Sequence, residues 1–317
     1  MSDFAKTRPC RGGYRWPSHV PPLSQIDRPP VGLVAGWGSF PIEVARRLVA
    51  SGRRVVCIGI VNHAGRSVES ICDHVRWSGV GKIGGHIRYF RSRGVREVTM
   101  AGKLFKHEIL YAGPMFIRHL PDLTAIRTFA PLLWGRRRDS RDDSLLGAVT
   151  ASYDRGGLAV RPATDFAPGL LAEPGVMTGQ TSIPDRLRAD IDAGWRVART
   201  MGSLDVGQAI TIHDHTVIAI EAVEGTDACI ERTGSLCRRG GWTLVKVAKP
   251  QQDMRFDVPT IGPQTVAKVA AAGGRAIVIE AGRTIVVERE ATIQAARRAG
   301  VLIVAHKELS AAVPVAA

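Results

Sequence analysis

Two short, wholly apolar runs, Val31-Gly-Leu-Val-Ala35 and Val55-Val-Cys-Ile-Gly-Ile-Val61, flank one helix-length segment, and this constrains the chain more than any other feature. Apolar runs of this length without alternation are strands covered on both faces, the situation of a parallel sheet under helices. Between them, Ile42, Ala45, Leu48 and Val49 recur at helical spacing up to Ala50, and Gly52 closes the helix. The unit reads strand, helix, strand, and a parallel pair needs such a crossover. A helix at about 80–93 closed by Gly94, a strand at Val98–Ala101 and a helix around 142–155 closed by Gly156-Gly157 repeat the alternation. The first half is therefore predicted to be a doubly wound α/β domain over 31–165.

Residues 1–30 carry Pro17, Pro21, Pro22, Pro29 and Pro30 without hydrophobic period and read as an arm. A stretch rich in Pro, Gly, Thr and Ala makes 166–184 the expected linker. Beyond it, 185–317 reads as a second, α+β domain. A helix at about 185–201 is followed by the runs Gly207–His213 and Val217–Ala222, which the polar His213-Asp214-His215-Thr216 joins into a hairpin. A helix at 227–237, a strand at Trp242–Val247, a long loop over 249–262 and a helix at 264–272 come next. Apolar runs at 276–280 and 284–287, a helix at 290–299 and a strand at 301–304 complete the pattern, which contains no internal repeat.

Composition narrows the function classes. The formal charge is +14, and up to residue 165 there are 26 basic and 13 acidic residues, net +13, against 17 and 16 beyond it, net +1. A basic half suits nucleic acid, an anionic membrane surface or a phosphorylated ligand. Arg46, Arg47, Arg88, Arg91 and Arg93 are dispersed on helices without interleaved stacking aromatics, which argues against nucleic acid. No stretch reaches the roughly 18 consecutive apolar residues of a spanning helix, and residues 1–30 lack an apolar signal core. The five cysteines show no C-x-x-C spacing, which suits reduced thiols in a cytosol and excludes structural zinc.

Several motifs bear on chemistry. Gly36-Trp-Gly38, after a buried strand and before a helix, stands where phosphate-binding folds bring backbone N–H groups to an anion. Pro41 replaces the third glycine of the dinucleotide pattern and no acidic residue ends the next strand, so a plain tight turn or another phosphate contact remain as readings. Lys103 follows a strand end, either as a phosphate-holding charge or as an exposed loop lysine. Asp142 and Asp143 are helix caps or ligand contacts. His213-Asp214-His215 is read as polar turn residues in preference to metal ligands. Glu221-Ala-Val-Glu224-Gly-Thr226-Asp227 places strand-end carboxylates at a Gly-bearing turn, suited to Mg²⁺, and Lys246 to Gly262 holds cations suited to phosphate oxygens. That pairing points to phosphoanhydride cleavage, where cations neutralise developing charge and a carboxylate orients or deprotonates water. Alternatively, Asp227 only caps the following helix and Lys249-Pro250 only begins a loop.

Taken together these stretches resemble the LpxI-type UDP-2,3-diacylglucosamine pyrophosphatases of lipid A biosynthesis. The match is carried in the first half by Val31-Gly-Leu-Val-Ala-Gly-Trp-Gly38 with Pro41, Met100-Ala-Gly-Lys103, Pro121-Asp-Leu123 and Asp142-Asp143-Ser-Leu-Leu146. In the second it is carried by Leu204-Asp-Val-Gly-Gln208, Glu221 to Asp227, Val245-Lys-Val-Ala-Lys-Pro250, Gln252 to Gly262 and Glu280-Ala-Gly282. The resemblance implies an N-terminal Rossmann-like domain, a C-terminal α+β domain peculiar to the family, and a lipid-linked sugar nucleotide held between them. It implies Mg²⁺-dependent hydrolysis to UMP and 2,3-diacylglucosamine 1-phosphate, in the cytoplasm and peripherally on the inner membrane, and leaves a homodimer open. Asp227 is the implied catalytic and metal-linked carboxylate, with Glu224 and Thr226 beside it. Gly36, Gly38, Lys103, Asp142, Asp143, Gln208, Lys246, Lys249, Gln252, Asp253, Arg255 and Thr260 are the implied pocket residues. The chain departs from the family pattern at Arg141, where a glycine is usual, at Cys229-Ile230, where Met-Leu is usual, and in its extra N-terminal arm. The Arg141 change motivates an alternative, a nucleotide-sugar or lipid-binding protein that is non-catalytic or differently specific.

Overall fold

The computed structural model describes residues 28–104, 119–134, 142–255 and 257–307, so the N-terminal arm through residue 27 and Arg141 lie outside the described residues. The first sheet contains β1 (Val31–Ala35), β2 (Val55–Ile60), β3 (His74–Ser78), β4 (Glu97–Ala101) and β5 (Ala159–Val160) in the order β3-β2-β1-β4-β5. Every pairing in it is parallel. This is a Rossmann-like sheet, and its strand order reverses between β1 and β4, where such folds open a crevice at the carboxyl edge.

The unalternating apolar runs are explained by burial on both faces. On one face α1 (Phe40–Ala50) packs Val44, Ala45 and Leu48 against Val31, Leu33, Val55 and Cys57. On the other, α2 (Ile83–Ser92) packs Ile83, Ile87 and Phe90 against Val56, Ile58, Ile60 and Val98. The helices α3 (Leu123–Trp134) and α4 (Asp142–Arg155) complete that second layer, through Ala125 and Tyr153. Strand β3 is absent from the sequence expectation because its residues are half-buried or exposed at the sheet edge, which leaves no apolar run to read.

The second sheet mixes directions. It contains β6 (Gly175–Val176), β7 (Ala209–His213), β8 (Thr216–Ile220), β9 (Thr243–Lys246), β11 (Ala276–Glu280) and β13 (Leu302–His306), in the order β6-β13-β11-β9-β7-β8. Strands β9, β11 and β13 are parallel at its centre, whereas β6, β7 and β8 are antiparallel to their neighbours. A parallel pair, β10 (Thr260–Ile261) and β12 (Ile285–Val286), stands beside it. Helix α5 (Asp185–Ser203) covers one face with Ile191, Trp195 and Ala198. On the other face lie α6 (Gly225–Leu236), α7 (Pro263–Ala271) and α8 (Arg289–Ala299), contributing Ile230, Val266, Val269 and Ala296. The hairpin turn forms as expected: Asp214 and His215 both have positive φ, 47° and 61°, the type I′ geometry that matches strand twist. Arg186 donates through Nε and Nη2 to the two oxygens of the Asp214 carboxylate.

The stretch expected as a linker is built into the structure. Within 166–184, Pro168–Leu170 forms a 3-10 turn and β6 pairs with β13. Leu171 bridges to Ile285, and Ile285 and Val287 bury among the α1 and β1 side chains, so one core crosses the junction. Glu43 of α1 also accepts the Glu288 backbone N–H at 3.0 Å.

One buried histidine ties the first domain to pH. His86 Nε2 meets the Gly79 carbonyl at 3.1 Å and Nδ1 meets the Tyr153 hydroxyl at 3.0 Å. A carbonyl only accepts, so Nε2 carries the proton and Nδ1 accepts from Tyr153. Burial pushes the His86 pKa down from 6.5 to about 4. The unfolded chain therefore binds a proton that the folded one refuses, so this contribution is present above pH 6.5 and is lost as pH falls toward 4. It amounts to at most about 3 kcal/mol. Urea unfolding at pH 7 and pH 4.5 should show a larger acid loss for the native chain than for His86→Gln, and equal losses would remove His86 from the explanation.

Candidate active site

The carboxyl ends of the central parallel strands gather the polar residues of the second domain. Lys246 is the last residue of β9, and the antiparallel register puts Ala209 opposite it, so Gln208, at the start of β7, stands at the same edge. Glu221 directly follows β8 on that edge, and α6 starts four residues later. Chain connectivity alone thus delivers Gln208, Glu221, Thr226, Asp227 and Lys246 to one place.

Lys246 is buried, and its Nζ donates to Thr226 Oγ1 at 3.1 Å and to the Thr260 carbonyl at 3.5 Å. Thr226 in turn donates to Glu221 Oε1 at 2.8 Å. Burial pushes the Lys246 ammonium below its ordinary pKa; Glu221 opposes this, Lys103 adds to it, and Asp227 and Asp257 oppose it. Lys103 belongs to the first domain, so its charge acts on Lys246 across the junction, an arrangement suited to a bound anion.

Asp227 lies in the first turn of α6, largely exposed, with Oδ2 held by Lys268 Nζ of α7 at 2.8 Å. Glu224 is committed to its own turn: one oxygen accepts the Ala222 N–H at 3.1 Å and the other pairs with Arg232 at 2.5 Å. The loop after β9 is internally braced. Glu280 at the end of β11 accepts the Ala248 N–H at 2.8 Å, and Lys249 pairs with Asp205 at 2.7 Å. Gln252 is buried, bonding Asp257 at 2.6 Å, Gln208 at 3.2 Å and the Lys249 N–H at 2.9 Å. Asp253 and Arg255 pair with each other at 2.6 Å, and the Thr260 hydroxyl donates to the Val258 carbonyl. Lys268 is the partner that sequence reasoning missed, because only folding brings α7 to Asp227; Glu221 and Asp257 lay within the motifs read from the sequence, without their bonds to Thr226 and Gln252.

In the first domain, the β1 and β4 ends interlock at the point where strand order reverses. Trp37 and Lys103 exchange backbone hydrogen bonds at 2.8 and 3.0 Å. A Cβ on Gly36 would lie 2.8 Å from the Lys103 carbonyl oxygen, so close backbone packing accounts for that glycine. Gly38 has φ +105° with open space around it. Asp142 and Asp143 begin α4, and their side chains lie outside the described residues.

With this geometry in place, comparison with known proteins gives a consistent result. Residues 30–170 match the family model of the LpxI N-terminal domain and residues 173–304 that of the LpxI C-terminal domain. A curated relative from Caulobacter vibrioides, "UDP-2,3-diacylglucosamine pyrophosphatase LpxI", is 33% identical over 258 residues, covering 79% of this chain and 88% of the relative. The chain belongs to the LpxI family.

The two departures from the LpxI pattern inside α6, Cys229 and Ile230, are fully buried, so they alter packing behind the helix and leave its exposed first turn untouched. Among the described residues no three His, Cys, Asp or Glu side chains converge as a metal-ligand set. A single exposed carboxylate such as Asp227 fits a Mg²⁺ that keeps several waters and takes further oxygens from a diphosphate. Among the described residues no further side chains join it to cage an ion.

Gly102 is the residue on which the placement of Lys103 turns. Its φ is +96°, and a Cβ would sit 2.7 Å from the Gly36 carbonyl carbon and 2.8 Å from the Trp37 oxygen. Gly102→Ala should therefore cost about 1–3 kcal/mol in urea unfolding and weaken diphosphate binding. Unchanged stability and binding would show that this crevice tolerates displacement.

Proposed function

We propose that the chain hydrolyses the pyrophosphate bond of UDP-2,3-diacylglucosamine, releasing UMP and 2,3-diacylglucosamine 1-phosphate. The observation that carries this reading is the 33% identity, over 79% of the chain, to the relative of that name. The site's chemistry supports it. Water must add to one phosphorus while the bridging oxygen leaves with the other, so negative charge accumulates on both phosphates. Lys246 from one domain and Lys103 from the other supply fixed positive charge where the domains meet. Lys249, Gln252, Arg255 and Thr260 line the adjoining loop, and Gly38 contributes backbone at the crevice of the first sheet.

In this reading Asp227 is the reactive carboxylate. It orients the attacking water or accepts its proton, and it would hold Mg²⁺, which supplies Lewis-acid neutralisation of the diphosphate when bound. Lys268 restrains the Asp227 side chain, Thr226 holds Lys246, and Glu224 holds the turn that presents both. A substrate with acyl chains meets the protein at a bilayer. We place the chain peripherally on an anionic, cytoplasm-facing membrane, supported by the net +13 of the first 165 residues. No helix among the described residues is long and apolar enough to cross a membrane.

Phosphorus NMR of UDP-2,3-diacylglucosamine with purified protein tests the reading. The native chain with Mg²⁺ should yield UMP and the sugar 1-phosphate. EDTA should stop the reaction, and Asp227→Ala should lower the rate at least about a hundredfold. Binding without turnover by the native chain would instead favour the non-catalytic or differently specific alternative.

A further inference from the structure

Glu221 has no part in the hydrolysis proposed above, yet it is the most enclosed carboxylate at the site. The residue is 6% exposed, and its Oε2 is buried with no hydrogen-bond partner among the described residues. A buried, half-satisfied carboxylate costs stability, so its presence at this edge calls for a compensating use. Its other oxygen is the terminus of a directed chain. An ammonium only donates, so at the Lys246–Thr226 contact of 3.1 Å the threonine oxygen must accept. The single Thr226 proton is then committed to Glu221 Oε1, at 2.8 Å. Two of the three Lys246 N–H groups are thereby aimed, at Thr226 and at the Thr260 carbonyl, and the third has no partner among the described residues.

We propose that Glu221 is a positioning residue that, acting through Thr226, orients the Lys246 ammonium toward the domain junction. This rests on the pyrophosphatase reading given above. The charges facing Lys246 come from four segments: Glu221 after β8, Asp227 in α6, Asp257 before β10, and Lys103 after β4 of the first domain. Burial and Lys103 favour loss of the Lys246 proton, and Glu221 leads the opposing carboxylates. Removing the Glu221 charge therefore lets Lys246 lose its proton at lower pH, and turnover that needs the cation fails earlier on the alkaline side.

The test is the pH dependence of kcat/KM for the native chain, Glu221→Gln, Thr226→Ser and Thr226→Val, each verified as folded by circular dichroism. Glu221→Gln should move the alkaline limb to lower pH and reduce kcat/KM at pH 8 by about tenfold or more. Thr226→Val should also displace the limb, whereas Thr226→Ser, which keeps the hydroxyl, should leave it in place. A second readout does not depend on turnover. Brief acetic anhydride labelling across pH, followed by mass spectrometry of the Lys246 peptide, should show Lys246 becoming reactive at lower pH in Glu221→Gln. An unmoved limb with unchanged labelling overturns the proposal. A native chain that does not cleave the substrate, with labelling still displaced in Glu221→Gln, overturns the pyrophosphatase reading and leaves the Glu221–Lys246 coupling standing.

Discussion

A lysine ammonium taken out of water has to be met by hydrogen-bond acceptors and opposite charge, and the Lys246 group of this chain finds both at the carboxyl edge of its sheet. Thr226, the Thr260 carbonyl and the Glu221 carboxylate surround it, and each comes from a different segment. The hairpin of β7 and β8 has to lie beside β9 for Glu221 to arrive there. The loop from Ala248 to Thr260 has to return for its carbonyl to reach Nζ, and Glu280 at the next strand end restrains that loop through the Ala248 N–H. Much of the second domain's connectivity thus serves one buried cation.

The first domain completes the environment. Interlocked glycines at Gly36 and Gly102 bring the β1 and β4 ends into backbone contact, and the charge of Lys103 beside that contact acts on Lys246. Ile285 and Val287 of the second domain sit in the core beneath α1, and Glu43 caps the Glu288 N–H. Hydrophobic packing thus joins the two domains beside the edge where the Lys103 charge acts on Lys246.

What could be read from the sequence follows from how each element buries itself. Strands β1, β2, β9 and β11 are covered on both faces and announce themselves as apolar runs. Strand β3 lies at an edge, and β6, β10 and β12 pair over two residues each, too briefly for any period to register. Helix α3 carries Pro131, which disguises a helical pattern. At the site, the Glu221-to-Asp227 motif marks a turn whose Thr226 lies against Lys246. The division of labour within it was not legible, because the Glu224 partner Arg232, the Asp227 partner Lys268 and the Glu221 chain to Lys246 are contacts between segments brought together by folding. The action of the Lys103 charge on Lys246 is likewise a product of the domain junction and of no spacing in the chain.

The central claim is that one diphosphate is held from both domains at once, and calorimetric titration with UDP addresses it most directly. The native chain, Lys103→Met, Lys246→Met and the double variant would be compared at fixed ionic strength. Each single change should weaken UDP binding by about tenfold or more, and the double variant should bind more weakly than either. Full affinity in either single variant would contradict the claim and assign the diphosphate to one domain alone.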